Sequence, residues 1–142
     1  MQSRVVTSSA IVIGAGGGIG AALCKQWQQD NRIDHVIAVS HQTENLEHLT
    51  VDASTHLLHC DYSEESISTT CELISSLAGT VTRVCICNGI LHNENLWPEK
   101  RIEDININSL QQVFTANSVV PLLWLKALFP VVKGKTDCII SV

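Results

Sequence analysis

Hydrophobic positions along this chain fall into short, nearly continuous runs, separated by longer segments with helical spacing. The runs at 9–13, 35–40, 56–60, 83–87 and 137–142 predict five strands. Their unbroken apolar character suits a parallel sheet covered on both faces, since a sheet with one wet face alternates polar and apolar residues. Between the runs, the spacing predicts helices over about 18–30, 64–78 and 108–129. Ser63 followed by Glu64 and Glu65 places a cap and two acids at the positive end of the second helix, and Ile67, Cys71, Ile74 and Leu77 form its apolar face. Strand and helix alternate throughout, which predicts a Rossmann-type, doubly wound α/β sheet in one domain over residues 1–142. The stretch 92–108, with Pro98 and several charges, reads as an extended loop with room for a short helix.

The first strand runs into Gly14-Ala15-Gly16-Gly17-Gly18-Ile19-Gly20, where five of the chain's eight glycines occupy seven positions. Glycine is costly to order, so such a cluster marks a strained turn or a group lying close against the main chain. A strand, a glycine turn and a helix N-terminus together make an anion site, with free amides and the positive end of the helix dipole pointing outward. A dinucleotide pyrophosphate is the expected occupant. Two registers compete. Gly16-x-Gly18-x-x-Ala21 fits the general dinucleotide pattern, whereas Gly14-x-x-x-Gly18-x-Gly20 begins where the strand ends.

Composition narrows the function classes. The chain has 142 residues, 45% of them hydrophobic, enough for a substantial core. A net charge of −5 without a basic stripe argues against nucleic-acid binding. Apolar runs such as 119–125 are short for a bilayer span, and the first seven residues lack a signal-peptide pattern, so the expectation is a soluble, cytoplasmic protein with no membrane partner. Six cysteines sit mostly inside apolar patterns and read as core thiols; Cys85-x-Cys87, His56, His59 and Cys60 do not have zinc-site spacing, and no metal is expected.

The second glycine register resembles the short-chain dehydrogenase/reductase family, whose usual form is Thr-Gly-x-x-x-Gly-x-Gly, with Ile13 here in place of the Thr. Cys60-Asp61-Tyr62 stands where these enzymes place an Asp near the adenine ring, and Asn88-Gly89 where many have Asn-Asn-Ala-Gly. Asn117 matches the helix Asn that the family uses in a proton relay, and Asn-Gly-Ile-Leu-His resembles the C-factor-like branch. The resemblance covers the whole chain. It implies Gly14, Gly16, Gly17, Gly18, Ile19, Gly20, Ser40, His41, Asp61, Tyr62, Asn88 and Gly89 as cofactor-binding residues and Asn117 as the catalytic one.

Each of these also has a plainer reading. Asp61 can cap the following helix, and Asn88-Gly89 can be an ordinary strand-ending turn. Asn117 lies on one helical stripe with Leu110, Val113, Phe114, Val120 and Trp124, four residues before Pro121, which has no N–H for the Asn117 carbonyl. That carbonyl is then free for a water, as in the family, or it marks a tolerated kink. With no acid closing the second strand, Ser40 and His41 are candidate phosphate partners, and the lean is to NADP over NAD.

Family chemistry needs a Ser after the fifth strand and a Tyr-x-x-x-Lys on the next helix. The one tyrosine, Tyr62, is followed four places on by Ser66, and Ser141 sits within the last strand run. Two expectations follow: the cofactor-binding half of an NAD(P)-dependent oxidoreductase acting on a carbonyl or alcohol, cut before its catalytic portion, or a non-catalytic NAD(P)-binding sensor or partner subunit. Family members pair through the 108–129 helix, so the resemblance implies a homo-oligomer.

Overall fold

The computed structural model describes residues 7–47, 49 and 51–142. Met1–Val6, most of the stretch read above for a leader, lies outside them. Five parallel strands, β1 (Ser8–Ile13), β2 (His35–Ser40), β3 (Thr55–His59), β4 (Thr80–Ile86) and β5 (Ile139–Ser141), form one sheet in the order β3-β2-β1-β4-β5. Helix α1 (Gly18–Gln28) covers one face. Helices α2 (Glu64–Leu77) and α4 (Val120–Val132) cover the other.

The strand period explains both layers. Ile11 and Ile13 point to the α2/α4 side with Ile37, Val39, Val84 and Ile86, where they meet Ile67 and Ile74 of α2 and Trp124 and Leu128 of α4. Val12, Val36 and Ala38 point the other way and meet Cys24 of α1. Such two-sided burial requires the unbroken apolar runs seen in the sequence.

The boundaries shift in three places. β4 starts at Thr80, three residues before the apolar run, because the β-branched Thr80 and Val81 pair with Ser8 and Ser9 of β1, and the register then skips Thr82. β5 is shorter than its run, and all three of its residues are exposed. The third helix is one continuous rod from Ile107 to Val132, made of α3 (Ile107–Phe114), a π-helical segment (Thr115–Val119) and α4.

That rod corrects the inference from run lengths: at 26 residues it is long and apolar enough to cross a membrane, because polar Asn117 and Ser118 break the run but not the helix. Its Val120, Trp124 and Leu128 pack on the sheet instead. Leu110 and Phe114, expected on a packed stripe with Trp124, are exposed, Phe114 by 68%. The π segment turns α3 out of phase with α4, so one stripe cannot stay buried through both. The 92–108 loop holds a bridge between Asn93 and Leu96 and a single 3₁₀ turn (Ile102–Asp104).

Candidate nucleotide-binding site

The site begins where β1 ends. Gly14 has φ +83°, and the amides of Gly14 and Ala15 both donate to the Val39 carbonyl at 2.9 Å, tying the turn to the end of β2. A Cβ on Gly14 would lie 2.7 Å from the Asn88 nitrogen, and one on Gly20 would lie 2.2 Å from the Gly14 carbonyl oxygen. Both positions therefore need glycine for packing against the chain itself. Gly18 is different: a Cβ there meets nothing within 4 Å, so its bareness leaves open space. This selects the register Gly14-x-x-x-Gly18-x-Gly20.

Gly17 is the N-cap and has no side chain to satisfy the first turn of α1. The amides of Gly18, Ile19 and Gly20 have no acceptor within the helix, and no acidic residue lies in that turn. Ile19 is 72% exposed beside them. An uncapped helix N-terminus without an acid beside it fits a pyrophosphate in charge.

A cleft of about 1240 Å³ opens in front of the turn. Gly14, Gly16 and Gly17 form one wall, and the segments after β2, β3 and β4 supply Ser40 and His41, Asp61 and Tyr62, and Cys87, Asn88 and Gly89. The opposite wall comes from Asn108, Gln111, Gln112, Thr115 and Ala116 on the long helix. It lies at the carboxyl ends of the strands, where the sheet order reverses between β1 and β4, the place where doubly wound sheets bind ligands.

The polar residues divide by how fully the chain uses them. Ser40 is 4% exposed, and its hydroxyl donates to the Gln42 carbonyl at 2.8 Å and accepts from the Gln42 amide at 3.1 Å. It is spent on its own turn, which leaves His41, exposed at the rim, as the accessible group of that pair. Ser63, not Asp61, caps α2; Asp61 Oδ1 accepts the Ser63 amide at 2.8 Å one step ahead of the helix, and the residue lines the cleft. Hydrogen bonds from Ser63 hold its carboxyl below the usual carboxylate range. Tyr62, with φ +65°, turns its ring toward the rings of His41 (6.0 Å) and, edge-on, Trp124 (6.1 Å). Burial pushes its phenol up to about 12.

Asn88 and Asn117 join β4 to the long helix. In the π segment the Val120 amide donates to Thr115, so the Ala116 carbonyl loses its α-helical donor, and Pro121 has no N–H to replace it. The Asn88 Nδ2 takes that carbonyl at 3.0 Å, while its Oδ1 is buried without a donor. Asn117 grips the backbone of Ile90 twice, Oδ1 accepting its amide at 2.7 Å and Nδ2 donating to its carbonyl at 2.9 Å. Gly89 leaves room for this: a Cβ there would stand 3.0 Å from Asn117 Oδ1. Asn117 is thus an exposed clamp and not a polar residue inside an apolar stripe, a correction with the same cause as that for Phe114.

The sequence reading missed Gln111, Gln112 and Thr115. Their signal was helical spacing opposite Trp124, which becomes a cleft wall only once the helix lies beside β4. Among the described residues, no group of three His, Cys, Asp or Glu side chains is placed to hold a metal.

No family model matches the chain, and no curated protein matches it. Solved structures do. A Streptomyces avermitilis short-chain dehydrogenase superposes with a TM-score of 0.79 at 19% identity, over 97% of this chain and 48% of its own. A protein named as the carbonyl reductase Sniffer of Caenorhabditis elegans gives 0.73 at 25% identity, over 89% of this chain and 54% of its own. This is the N-terminal part of a short-chain dehydrogenase/reductase fold. A third such enzyme, from Burkholderia cenocepacia and solved with NADP, gives 0.73 at 18% identity over 98% and 54%. The chain spans about half the length of these dehydrogenases.

Proposed function

We propose that this chain is the cofactor-binding half of an NAD(P)-dependent short-chain oxidoreductase that moves hydride between nicotinamide and a carbonyl or alcohol. One observation carries the reading. The glycine turn is bare for two separable reasons: Gly14 and Gly20 pack against the chain, while a Cβ on Gly18 would meet nothing and the first turn of α1 carries no side-chain cap. A turn built only for folding has no use for the second group.

In this reading the amides of Gly18, Ile19 and Gly20 hold the pyrophosphate. Asp61 and Tyr62 border the adenine end, and His41 receives a ribose phosphate, which favours NADP. The Asn88 and Asn117 contacts fix the far wall. When bound, the cofactor supplies the hydride. The chain's own residues bind and orient; none of them matches the family's proton donor, because burial pushes the Tyr62 phenol up to about 12, making it a weaker acid, and no Lys follows it in the Tyr-x-x-x-Lys spacing. That observation favours a second reading, an NAD(P)-binding module that senses or pairs without catalysis. In either case we place the protein in the cytoplasm, without nucleic-acid or membrane partners, as a homo-oligomer.

Fluorescence titration with NADPH and NADH tests the proposal. Saturable binding, tighter for NADPH and lost in Gly18→Asp, is expected. Binding of neither dinucleotide, by this chain or by a longer form containing it, would sink the reading. Carbonyl reduction by a verified 142-residue species would overturn the assignment of catalysis elsewhere.

A further inference from the structure

All six cysteines are free thiols, and two of them are placed unlike the rest. Cys85 near the carboxyl end of β4 and Cys87 just beyond it project to the same side, and the Cys87 thiol donates to Cys85 Sγ at 3.3 Å. Both are half-buried, as is Cys138, which has no sulfur partner among the described residues, whereas Cys24, Cys60 and Cys71 are buried in the two core layers. Cys87 also lines the cleft.

Its backbone is part of the cradle. The Cys87 amide donates to the Ile13 carbonyl at 2.8 Å, and its carbonyl carbon lies 2.9 Å from where a Gly14 Cβ would stand. Any shift of Cys87 along β4 is therefore a shift of the wall against which the glycine turn packs.

We propose that Cys85 and Cys87 form a redox-active pair that a small-molecule disulfide oxidises to an intrastrand disulfide, deforming the cleft floor and weakening dinucleotide binding. The bond itself does not depend on the functional reading above; its effect on binding does. One thiolate of the pair attacks the reagent's S–S bond, expelling one reagent thiolate and leaving a mixed disulfide. The second cysteine, as thiolate, attacks the protein sulfur of that mixed disulfide and expels the other reagent thiolate. The cysteines lose two electrons, the reagent disulfide gains them, and the two protons end on the two reagent thiols.

Geometry sets the consequence. Two residues of extended strand separate Cα atoms by about 6.6 Å, near the upper limit of about 6.8 Å for a disulfide. Closing the bond thus pulls Cys87 back toward Cys85, away from Gly14, and the resulting strain makes it readily reversible by a thiol reductant. Burial pushes the Cys87 thiol up to about 12, so bond formation accelerates as pH rises from neutral.

The experiment incubates the reduced protein with oxidised glutathione, alkylates it after unfolding, and maps the cysteines by peptide mass. The expected product is a peptide carrying Cys85 and Cys87 that is lighter by two hydrogens and unalkylated. NADPH or NADH should bind about tenfold more weakly to this form, with recovery after reduction. Cys85→Ser, whose changed side chain is outside the cleft lining, should bind as the reduced protein does and ignore glutathione disulfide. Full alkylation of both thiols, a bridge to another cysteine, or an arrested glutathione adduct overturns the pair. A Cys85–Cys87 bond with unchanged affinity overturns the coupling. If the reduced protein binds neither dinucleotide, the functional reading has failed, and the peptide masses still decide the disulfide.

Discussion

At the scale of single residues, the glycine turn contains positions that look alike in the sequence and differ in what they touch. Gly20→Ala drives a methyl group into the Gly14 carbonyl, 2.2 Å away, and should cost about 1–3 kcal/mol of stability. Gly18→Ala meets nothing and lies in the first turn of a helix, so it should leave stability unchanged or raise it by up to about 1 kcal/mol. Urea denaturation of the two variants checks the contrast; equal losses would mean that the turn packs differently. Asn88→Ala strips the Ala116 carbonyl of its donor in a half-buried setting and should cost about 1–3 kcal/mol, read in the same experiment.

At the scale of elements, the entry to α2 carries a pH dependence. Ser63 caps the helix by accepting the Ser66 amide, and Asp61 in turn accepts the Ser63 amide. The Asp61 carboxyl is held below its usual range in the folded chain, by Ser63 first. A lowered folded value stabilises the protein above the unfolded value, and that contribution is lost as pH falls through the folded one. Asp61→Asn should therefore melt below the wild type at neutral pH, with the gap narrowing in acid. Thermal melts across the acidic range measure it, and a gap that stays constant would mean that the charge on Asp61 does not support the Ser63 cap.

The π segment is the other decision made at this scale. Pro121 was visible as a residue without a donor. That the Ala116 carbonyl also loses its helical donor was not, because that depends on whether the preceding turn is α or π, and Asn88 takes that carbonyl.

At the scale of the whole molecule, apolar surface is left over. Leu110, Phe114, Leu122 and Phe129 on the long helix and Ile139 and Ile140 on the edge strand are all exposed. Leu128 of the same helix is buried against the sheet. Exposed apolar residues on a helix beside an unpaired strand edge favour association, so light scattering should show a species larger than the 15.5 kDa chain. A monodisperse monomer would contradict this.

The sequence alone determined the alternation of five strands and their helices, the parallel sheet and the place of the glycine turn. These rest on local patterns, since strand burial and helix spacing are written in adjacent residues. It also put Asp61, Tyr62, Asn88 and Gly89 at strand ends, and in a doubly wound sheet those ends gather at one edge. Only the tertiary structure decided between the two glycine registers, because Gly14 and Gly20 are distinguished from Gly18 by contacts with each other and with β4. It alone closed Ser40 on its own turn, exposed Asn117 as a clamp on Ile90 and brought Gln111 and Thr115 to the cleft. Those outcomes depend on how one element lies against another, and a one-dimensional pattern of polar and apolar positions does not hold that distance.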